Sequence, residues 1–298
     1  MKRILRILWN RSPQEVFRKI TRKFRYLFKG NGSIPDDYSL NVVLRDKKHM
    51  NKNVLIDRWE RYWRVAHNIV KDDLRKNYSF KGKRVLELGC GPLYGWGPMA
   101  LYLGAEEFYY LEPALIKETV YSEIIKERYF KPLFFELKAY YGGSITLEDY
   151  FDRIKSKCFS IDLEKNNLPI DMILSNSVLE HIPEKKLTVL MNKVFSMCSS
   201  GANFMHIVDF DTHGFLELDL SGLYSLDNKI IANSNKQLPI NLLRKSNIEE
   251  ILITSGFNLN HSIIYRNEDF KDANFDSSWE KYSDEDLKAK TVFFIGNK

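Results

Sequence analysis

Two acids and two glycines within a short stretch are the first candidates for chemistry in this sequence. Glu87 precedes Gly89 and Gly91, and Glu112 follows after a further apolar segment. Glycine permits a tight turn with positive φ and lets the backbone approach a ligand closely. An acid that ends the second strand of a nucleotide-type fold can accept hydrogen bonds from both hydroxyls of a ribose. These residues indicate a site for a ligand that contains a nucleoside.

Apolar segments around these residues predict the elements that must position them. The run 84–88 is typical of a buried parallel strand, 98–103 can form a helix, and 108–111 supplies a second strand. This order is the first β-α-β crossover of a nucleotide-binding fold. Five further strands are predicted, the last two as a closing antiparallel hairpin, at 158–163, 170–176, 202–210, 257–266 and 291–295.

The carboxylate of Glu87 also bears on which ligand the glycine turn would hold. A pyrophosphate binder needs the pattern G-x-G-x-x-G and a helix N-terminus that is free to meet phosphates. Here an acid stands two residues before Gly89, which suits a cationic ligand better. The stretch Val85–Gly91 resembles motif I of class I S-adenosylmethionine-dependent methyltransferases. The resemblance extends downstream through Glu112, Asp162 and Asp171 to His181.

That resemblance implies a Rossmann-like, doubly wound, seven-stranded methyltransferase sheet with S-adenosylmethionine as cofactor and S-adenosylhomocysteine as product. In the family the acid of the first strand helps to hold the methionyl end of the cofactor, and the acid of the second strand takes the ribose. A third glycine usually stands where this chain has Leu93, and Gly95 and Gly97 can offset its absence. The cofactor-binding residues implied in this way are Glu87, Gly89, Cys90, Gly91, Glu112, Pro113, Asp162, Leu163 and Asn176.

Three histidines near the predicted carboxyl edge of the sheet are candidates for proton transfer. Methyl transfer to a hydroxyl needs a base, and an imidazole titrates close to neutral pH. His206 lies within a predicted buried strand, which leaves His213 and His181 as the better candidates. Asp209 leaves the same strand at its carboxyl end and can orient His213. The predicted catalytic residues are therefore His213, His181 and Asp209.

A second, looser resemblance concerns the segments 206–213 and 241–244. Together they are similar to segments of methyltransferases found among bacterial surface-polysaccharide genes, which carry His-x-x-Asp, a later His and Asn-x-Leu-Arg. The resemblance implies O-methylation of a glycan or a sugar-containing precursor. Thr212 replaces the acid expected before the histidine, so Asp211 or Asp209 would have to serve.

A metal site is an alternative interpretation of the same segment. Asp209, Asp211 and His213 alternate along the chain, as oxygen and nitrogen ligands of magnesium can do. Three such residues in a row are equally typical of an ordinary polar loop. We therefore predict no metal ligand.

The predicted domain organisation has three parts. Residues 1–30 form a basic amphipathic helical segment, 31–80 form a helical cap, and 81–298 form the methyltransferase domain. A helical insertion over about 114–157, broken at Gly142-Gly143, is expected to lie above the carboxyl edge of the sheet. Its tyrosines are expected to line the acceptor site, namely Tyr140, Tyr141 and Tyr150.

Charge is concentrated at the beginning of the chain. Residues 1–29 carry ten Lys or Arg against the single Glu15, although the whole chain has a net charge of only +6, so the remainder is net acidic. A basic helix with an apolar stripe suits an anionic membrane surface, and the alternative is a helix packed on the catalytic domain. The acidic remainder argues against a nucleic-acid partner.

Composition bounds the class of protein and leaves alternatives open. With 298 residues and 44% hydrophobic composition the chain can bury one large α/β core, and three distant cysteines indicate neither disulfides nor a zinc site. No apolar run is long enough to span a membrane, so a cytoplasmic location is expected. Docking of the basic segment would place the protein at the inner face of the membrane. Two alternatives are a small-molecule or lipid-quinone methyltransferase and a catalytically silent cofactor-binding scaffold. The oligomeric state is not predicted.

Overall fold

The structure of the chain is a computed structural model that describes residues 37–45, 50, 56–57, 79–163, 168–212, 220–227, 240–266 and 275–298. The predicted basic segment 1–30, most of the predicted helical cap 31–80 and His213 lie outside the described residues. Within the described residues, no helix has both the length and the apolar character that crossing a membrane requires.

Seven strands form one sheet with the spatial order β3-β2-β1-β4-β5-β7-β6. All neighbours are parallel except β7, which runs antiparallel to both β5 and β6. This arrangement confirms the predicted doubly wound seven-stranded fold with its closing hairpin. The strands are β1 (Arg84–Leu88), β2 (Glu107–Leu111), β3 (Cys158–Ser160), β4 (Ile170–Asn176), β5 (Cys198–Asp209), β6 (Asn258–Arg266) and β7 (Ala289–Asn297).

Helices cover both faces of the sheet and account for its two main apolar cores. On one face α2 packs on β2 and against α6, and on the other α9 packs against α7 and the β6–β7 hairpin. The described helices, as they follow in the chain, are α1 (Leu40–Arg45), α2 (Gly97–Tyr102), α3 (Lys117–Val120), α4 (Glu123–Ile125), α5 (Lys131–Tyr141), α6 (Leu147–Lys157), α7 (Glu184–Met197), α8 (Leu220–Tyr224), α9 (Lys245–Thr254) and α10 (Asp284–Lys288).

The helical region between β2 and β3 differs in part from the predicted insertion. A π-helical turn, Lys126–Phe130, joins α4 to α5, and α5 ends at the predicted Gly142-Gly143 break. Helix α6 lies on the face of the sheet against α2, not above the carboxyl edge. The prediction that Tyr150 lines an acceptor site is therefore wrong. Its side chain is fully buried, with ring centroids 5.9 Å from Tyr102 and 5.5 Å from Phe134.

The amino edge of the sheet is fixed by Asp171, at the start of β4. Its carboxylate accepts hydrogen bonds from the backbone N–H of Arg84 at 2.9 Å and from the hydroxyl of Ser199 at 2.8 Å. Partial burial alone would raise the pKa of Asp171, but these hydrogen bonds and the Arg84 charge hold it below its ordinary value. Asp171 therefore ties β1, β4 and β5 together at the edge opposite the predicted cofactor site.

Candidate cofactor and acceptor site

The glycine turn after β1 is hydrogen-bonded to the end of β2. Gly89 and Gly91 have φ of 67° and 66°, a region that residues with a Cβ rarely adopt. Gly89 N–H donates to the carbonyl of Leu111 at 3.0 Å, and Gly91 N–H donates to Oε2 of Glu112 at 3.0 Å. The glycine turn and Glu112, which the sequence predicted as parts of one site, therefore meet at the carboxyl edge of the sheet.

The two glycines have different surroundings. A Cβ placed on Gly89 would clash with the side chain of Val178, which follows β4. A Cβ placed on Gly91 would meet no atom within 4 Å. Gly89 therefore permits close packing of β1 against the segment after β4, whereas Gly91 borders open space where a ligand can approach the backbone.

The carboxylate of Glu112 is half-buried and already accepts two backbone hydrogen bonds. Gly91 N–H donates to Oε2, and Ala114 N–H donates to Oε1 at 3.3 Å. An ionised carboxylate has about four lone-pair positions, so each oxygen keeps one for a ligand. Glu112 can therefore accept hydrogen bonds from two neighbouring hydroxyls, as the ribose prediction requires.

Glu87 lies beneath the loop that follows the glycine turn. Its side chain is 4% exposed, and Oε2 accepts a hydrogen bond from Trp96 N–H at 2.8 Å. Burial raises the pKa of Glu87 to about 8, an effect that the hydrogen bond from Trp96 opposes and the nearby carboxylate of Glu112 strengthens. Because a Cβ on Gly95 would clash with this carboxyl group, the loop rests directly on it. Glu87 shapes the loop, and a direct contact with cofactor stays a prediction.

Leu93, which stands at the usual third-glycine position, is buried in a short 3₁₀ turn, Gly91–Leu93. Two later glycines allow the close approaches that the loop makes. Gly95 lies on Glu87, and a Cβ on Gly97 would clash with the ring of Phe108 in β2. Gly97 therefore permits the tight helix-to-strand packing at the start of α2.

Asn176 of β4 and Cys90 of the glycine turn, both predicted to bind the cofactor, differ in the groups that a ligand can contact. Asn176, at the carboxyl end of β4, has a buried Oδ1 with no hydrogen-bond partner among the described residues. Ser175 pairs with Leu88, so Asn176 follows beside the glycine turn. The thiol of Cys90 is buried, and burial raises its pKa well above the ordinary value. Asn176 thus offers a ligand a side-chain hydrogen-bond acceptor, whereas Cys90 offers it only backbone groups.

The remaining predicted cofactor residues follow β2 and β3. Pro113 is exposed next to Glu112. Strand β3 ends at Ser160, earlier than the predicted 163, so Asp162 lies exposed in the turn beyond it and Leu163 is half-buried. The ends of β1, β2, β3 and β4 thus carry the whole predicted set along one edge of the sheet.

The sequence prediction missed Glu180, which is buried on the acceptor side of this edge. It is 2% exposed, and its Oε1 accepts a hydrogen bond from Asp209 N–H at 3.3 Å. Burial raises the pKa of Glu180 to about 8, and the carboxylate of Asp209 adds to the rise. Its signal in the sequence is an acid in the apolar-flanked segment Leu179-Glu180-His181, beside the histidine predicted as a base.

Asn241 fastens the turn that carries Glu180 and His181. Its Nδ2 donates to the carbonyls of Leu179 and Ile182, each at 2.7 Å, and its backbone N–H donates to the carbonyl of Glu180 at 2.6 Å. A single side chain therefore holds both ends of the turn. These contacts hold the start of the segment Asn241–Arg244 against the turn at the carboxyl edge of the sheet.

The predicted catalytic residues and the third histidine differ in their exposure and contacts. His181 is exposed in the turn Leu179–His181. Asp209 ends β5, and its backbone N–H contacts Glu180, the residue before His181. His206 is fully buried, its Nδ1 lies 2.8 Å from the hydroxyl of Ser175, and burial lowers its pKa to about 3. His206 is therefore a neutral core residue, as expected. His213 lies outside the described residues.

The two carboxylates that the alternative metal interpretation uses, Asp209 and Asp211, contact protein groups. Asp209 Oδ1 accepts a hydrogen bond from Asp211 N–H at 3.0 Å, and Asp211 Oδ2 lies 3.3 Å from Nζ of Lys290. In the part of the chain that the structure describes, no cluster of three or more His, Cys, Asp or Glu side chains could hold a metal ion.

Comparison with known proteins gives structural likenesses only. The chain matches no protein-family model and no curated protein at a significant level. Among solved structures it resembles an S-adenosylmethionine-dependent methyltransferase from Mesorhizobium loti, with 16% identity, 74% of this chain and 93% of that chain covered, and a TM-score of 0.40. It also resembles magnesium protoporphyrin IX methyltransferase from Synechocystis with bound S-adenosylhomocysteine, with 13% identity, coverages of 88% and 89%, and a TM-score of 0.43.

The strand order itself defines the class of fold. A parallel sheet with the order 3-2-1-4-5 and an antiparallel β7 inserted between β5 and β6 is the Rossmann-like arrangement of class I methyltransferases.

Proposed function

We propose that this chain is an S-adenosylmethionine-dependent methyltransferase. The observation that carries the proposal is the hydrogen bond from Gly91 N–H to Glu112, beside open space at the carboxyl edge of the sheet. This edge lies where the winding of the sheet reverses between β1 and β4, which is where open α/β sheets bind ligands.

The residues present fit that cofactor. Glu112 keeps two acceptor positions for ribose hydroxyls, and Asn176 has a buried oxygen ready to accept a hydrogen bond from the methionyl amino group. Asp162, exposed beyond β3, can accept from the adenine amine. Bound S-adenosylmethionine supplies an activated methyl group, and the chain's own task is then to hold an acceptor atom in line with it.

The acceptor we propose is a hydroxyl oxygen of a glycan or a sugar-containing precursor at the cytoplasmic face of the membrane. The support is the resemblance of segments 206–213 and 241–244, together with the basic composition of residues 1–29. His213 or His181 would take the proton from the hydroxyl, with Asp209 orienting His213. A small-molecule or lipid-quinone acceptor is the second candidate, because it would use the same cofactor residues.

Calorimetric titration of the full chain with S-adenosylmethionine and S-adenosylhomocysteine tests the cofactor. Micromolar binding of both is expected, and Glu112→Gln should weaken it roughly 10-fold or more, because charge-assisted hydrogen bonds are lost. Glu107→Gln is the matched control, since Glu107 begins the same strand at the opposite edge. Absence of binding in the wild-type chain would contradict the proposed cofactor site. Binding of both ligands without methyl transfer to any acceptor would favour the catalytically silent cofactor-binding scaffold over the enzyme.

Two further assays test the acceptor and the membrane. Radiolabelled methyl groups are expected to enter the sugar part of lipid-linked glycans. Label found in an extracted lipid, with sugar acceptors left unlabelled, would favour the lipid-quinone alternative. Removal of residues 1–29 is expected to abolish sedimentation with anionic liposomes, because the basic residues are concentrated there. Sedimentation that persists without them would refute this segment as the anchor.

A further inference from the structure

Arg244, immediately before α9, is one of the most deeply buried large side chains of the protein. It is 1% exposed. Its guanidinium carbon lies 5.3 Å from the ring centre of Phe210, 5.6 Å from that of Tyr224 and 5.9 Å from that of Trp279. We call these three aromatic residues and Arg244 the Arg244 cage.

The hydrogen bonds of the guanidinium involve only neutral acceptors. Nη1 donates to the hydroxyl of Tyr224 at 2.8 Å and to the carbonyl of Phe210 at 3.3 Å, and Nε donates to the carbonyl of Leu242 at 3.4 Å. Burial raises the pKa of Tyr224, so its phenol stays neutral. Among the described residues, Nη2 has no acceptor and no carboxylate forms an ion pair with Arg244.

The buried carboxylate of this region is already engaged elsewhere. Asp286 accepts hydrogen bonds from Ser246 N–H at 2.8 Å and from the hydroxyl of Ser283 at 3.1 Å. A buried charge is costly unless it is paired, and a guanidinium cannot lose its proton to escape that cost. Carbonyl and phenol oxygens and aromatic faces offset part of the cost but do not neutralise the charge. A buried guanidinium whose charge no described carboxylate neutralises would be stabilised by an anion.

The geometry of the Nε–Nη2 edge selects the kind of anion. Nη2 donates to no described acceptor, and Nε donates only the long 3.4 Å hydrogen bond to Leu242. An anion at the edge of these two nitrogens would give Nη2 an acceptor and replace that long contact. The planar fork of a guanidinium matches two oxygens of a carboxylate or a phosphate.

The cage lies on the acceptor side of the proposed active site. Phe210 directly follows β5 at the carboxyl edge, and Asn241, three residues before Arg244, fastens the turn that carries His181. The aromatic residues Tyr224 and Trp279 belong to a small apolar cluster that is separate from the two cores of the sheet. Because Arg244 is buried, an anion would reach it only if that cluster shifts, and a local shift costs less free energy than unfolding the whole domain.

We propose that Arg244 binds an anionic oxygen group of the methyl acceptor, a carboxylate or a phosphate, through its Nε–Nη2 edge. This inference rests on the proposed function, since it names a chemical feature of the acceptor. It makes the acceptor an acidic or phosphorylated sugar derivative.

Thermal unfolding of the full chain with added sodium phosphate or sodium acetate, at constant ionic strength set by sodium chloride, tests the site. A saturable rise of Tm by roughly 2 °C or more is expected with one or both anions. The rise is expected to disappear in Arg244→Gln and to persist in Lys290→Gln, which removes an exposed cation paired with Asp211 at the same edge. A response to phosphate only or to acetate only identifies which group the acceptor carries.

No saturable effect of either anion on the wild-type chain overturns the proposal, as does an equal effect in Arg244→Gln. If Arg244→Gln does not fold, Arg244→Lys replaces it, because lysine keeps the charge without the planar fork. A smaller shift is then expected, and an undiminished one overturns the proposal. Titration of the wild-type chain with S-adenosylmethionine separates the two proposals. Cofactor binding without an anion effect overturns the anion site alone. An anion effect without cofactor binding overturns the methyltransferase, and with it the assignment of the anion to a methyl acceptor.

Discussion

The backbone N–H of Trp96 donates a 2.8 Å hydrogen bond to Oε2 of Glu87, so the loop after β1 rests on a carboxyl group buried in that strand. Glu87 is 4% exposed, and its ordinary pKa of 4.5 is raised to about 8. The folded state therefore holds this proton more tightly than the unfolded state. The loop that borders the proposed cofactor site is built on a group that titrates near neutral pH.

We predict that Glu87→Gln changes the pH dependence of stability. For a raised pKa, the stabilisation is present below pH 4.5 and is lost as pH rises to about 8. The substitution should reduce the slope of unfolding free energy against pH by about 1.4 kcal/mol per unit in this window. Urea unfolding at several pH values measures it, with the exposed Glu118→Gln as control. An unchanged slope in Glu87→Gln would contradict the assignment.

A second prediction compares three glycines with positive φ. Gly91→Ala should cost about 1–2 kcal/mol from the strained backbone, and Gly89→Ala should cost more because its Cβ clashes with Val178. Gly82, with φ of 69° and open space where a Cβ would stand, matches Gly91 but lies before β1 at the opposite edge. Both Gly82→Ala and Gly91→Ala should lose similar stability in urea unfolding. Only Gly91→Ala should weaken S-adenosylmethionine binding in calorimetry.

A third prediction concerns the turn held by Asn241. Asn241→Ala leaves the carbonyls of Leu179 and Ile182 without their donor and should lower the unfolding free energy by about 2–3 kcal/mol. Asn241→Asp should cost more, because a carboxylate would face two carbonyl oxygens. Amide hydrogen exchange at His181 and Ile182 should accelerate in both variants. Asn258→Ala, on the exposed edge strand, is the control and should leave the exchange unchanged.

A fourth prediction concerns the base. His213→Ala should reduce methyl transfer roughly 100-fold or more while cofactor affinity stays near that of the wild type, because the base acts on the acceptor. His181→Ala tests the other candidate, and its exposed position predicts little loss of stability. His261→Ala in β6 serves as the control in the same labelling assay. Full activity of both His213→Ala and His181→Ala would place the base elsewhere.

The fold could be predicted because its signals are local. The apolar run before Gly89 and the acid after β2 are each encoded within a few residues, and the sheet order follows from a resemblance carried by those residues. The end of β3 was predicted too late, since an apolar residue at 161 continues the pattern of a strand although pairing stops at Ser160.

The contacts across the acceptor side could not be predicted in the same way. Glu180 meets Asp209 and Asn241, residues 29 and 61 positions later in the chain, and no periodic pattern encodes such pairs. The burial of Tyr150 likewise depends on Tyr102, which belongs to another helix. For Glu87 the residue type was informative, but only the folded loop reveals that its carboxyl group faces Trp96.

The position of β7 between β5 and β6 has a consequence for synthesis on the ribosome. When translation has reached residue 266, β6 has been made but β7, its neighbour in the described sheet, has not. The edge of β5 is then open along apolar residues such as Phe204 and Ile207, and an open apolar edge is prone to pair with other chains. A premature stop between residues 266 and 289 would make that exposure permanent, so such products should depend on chaperones or be degraded.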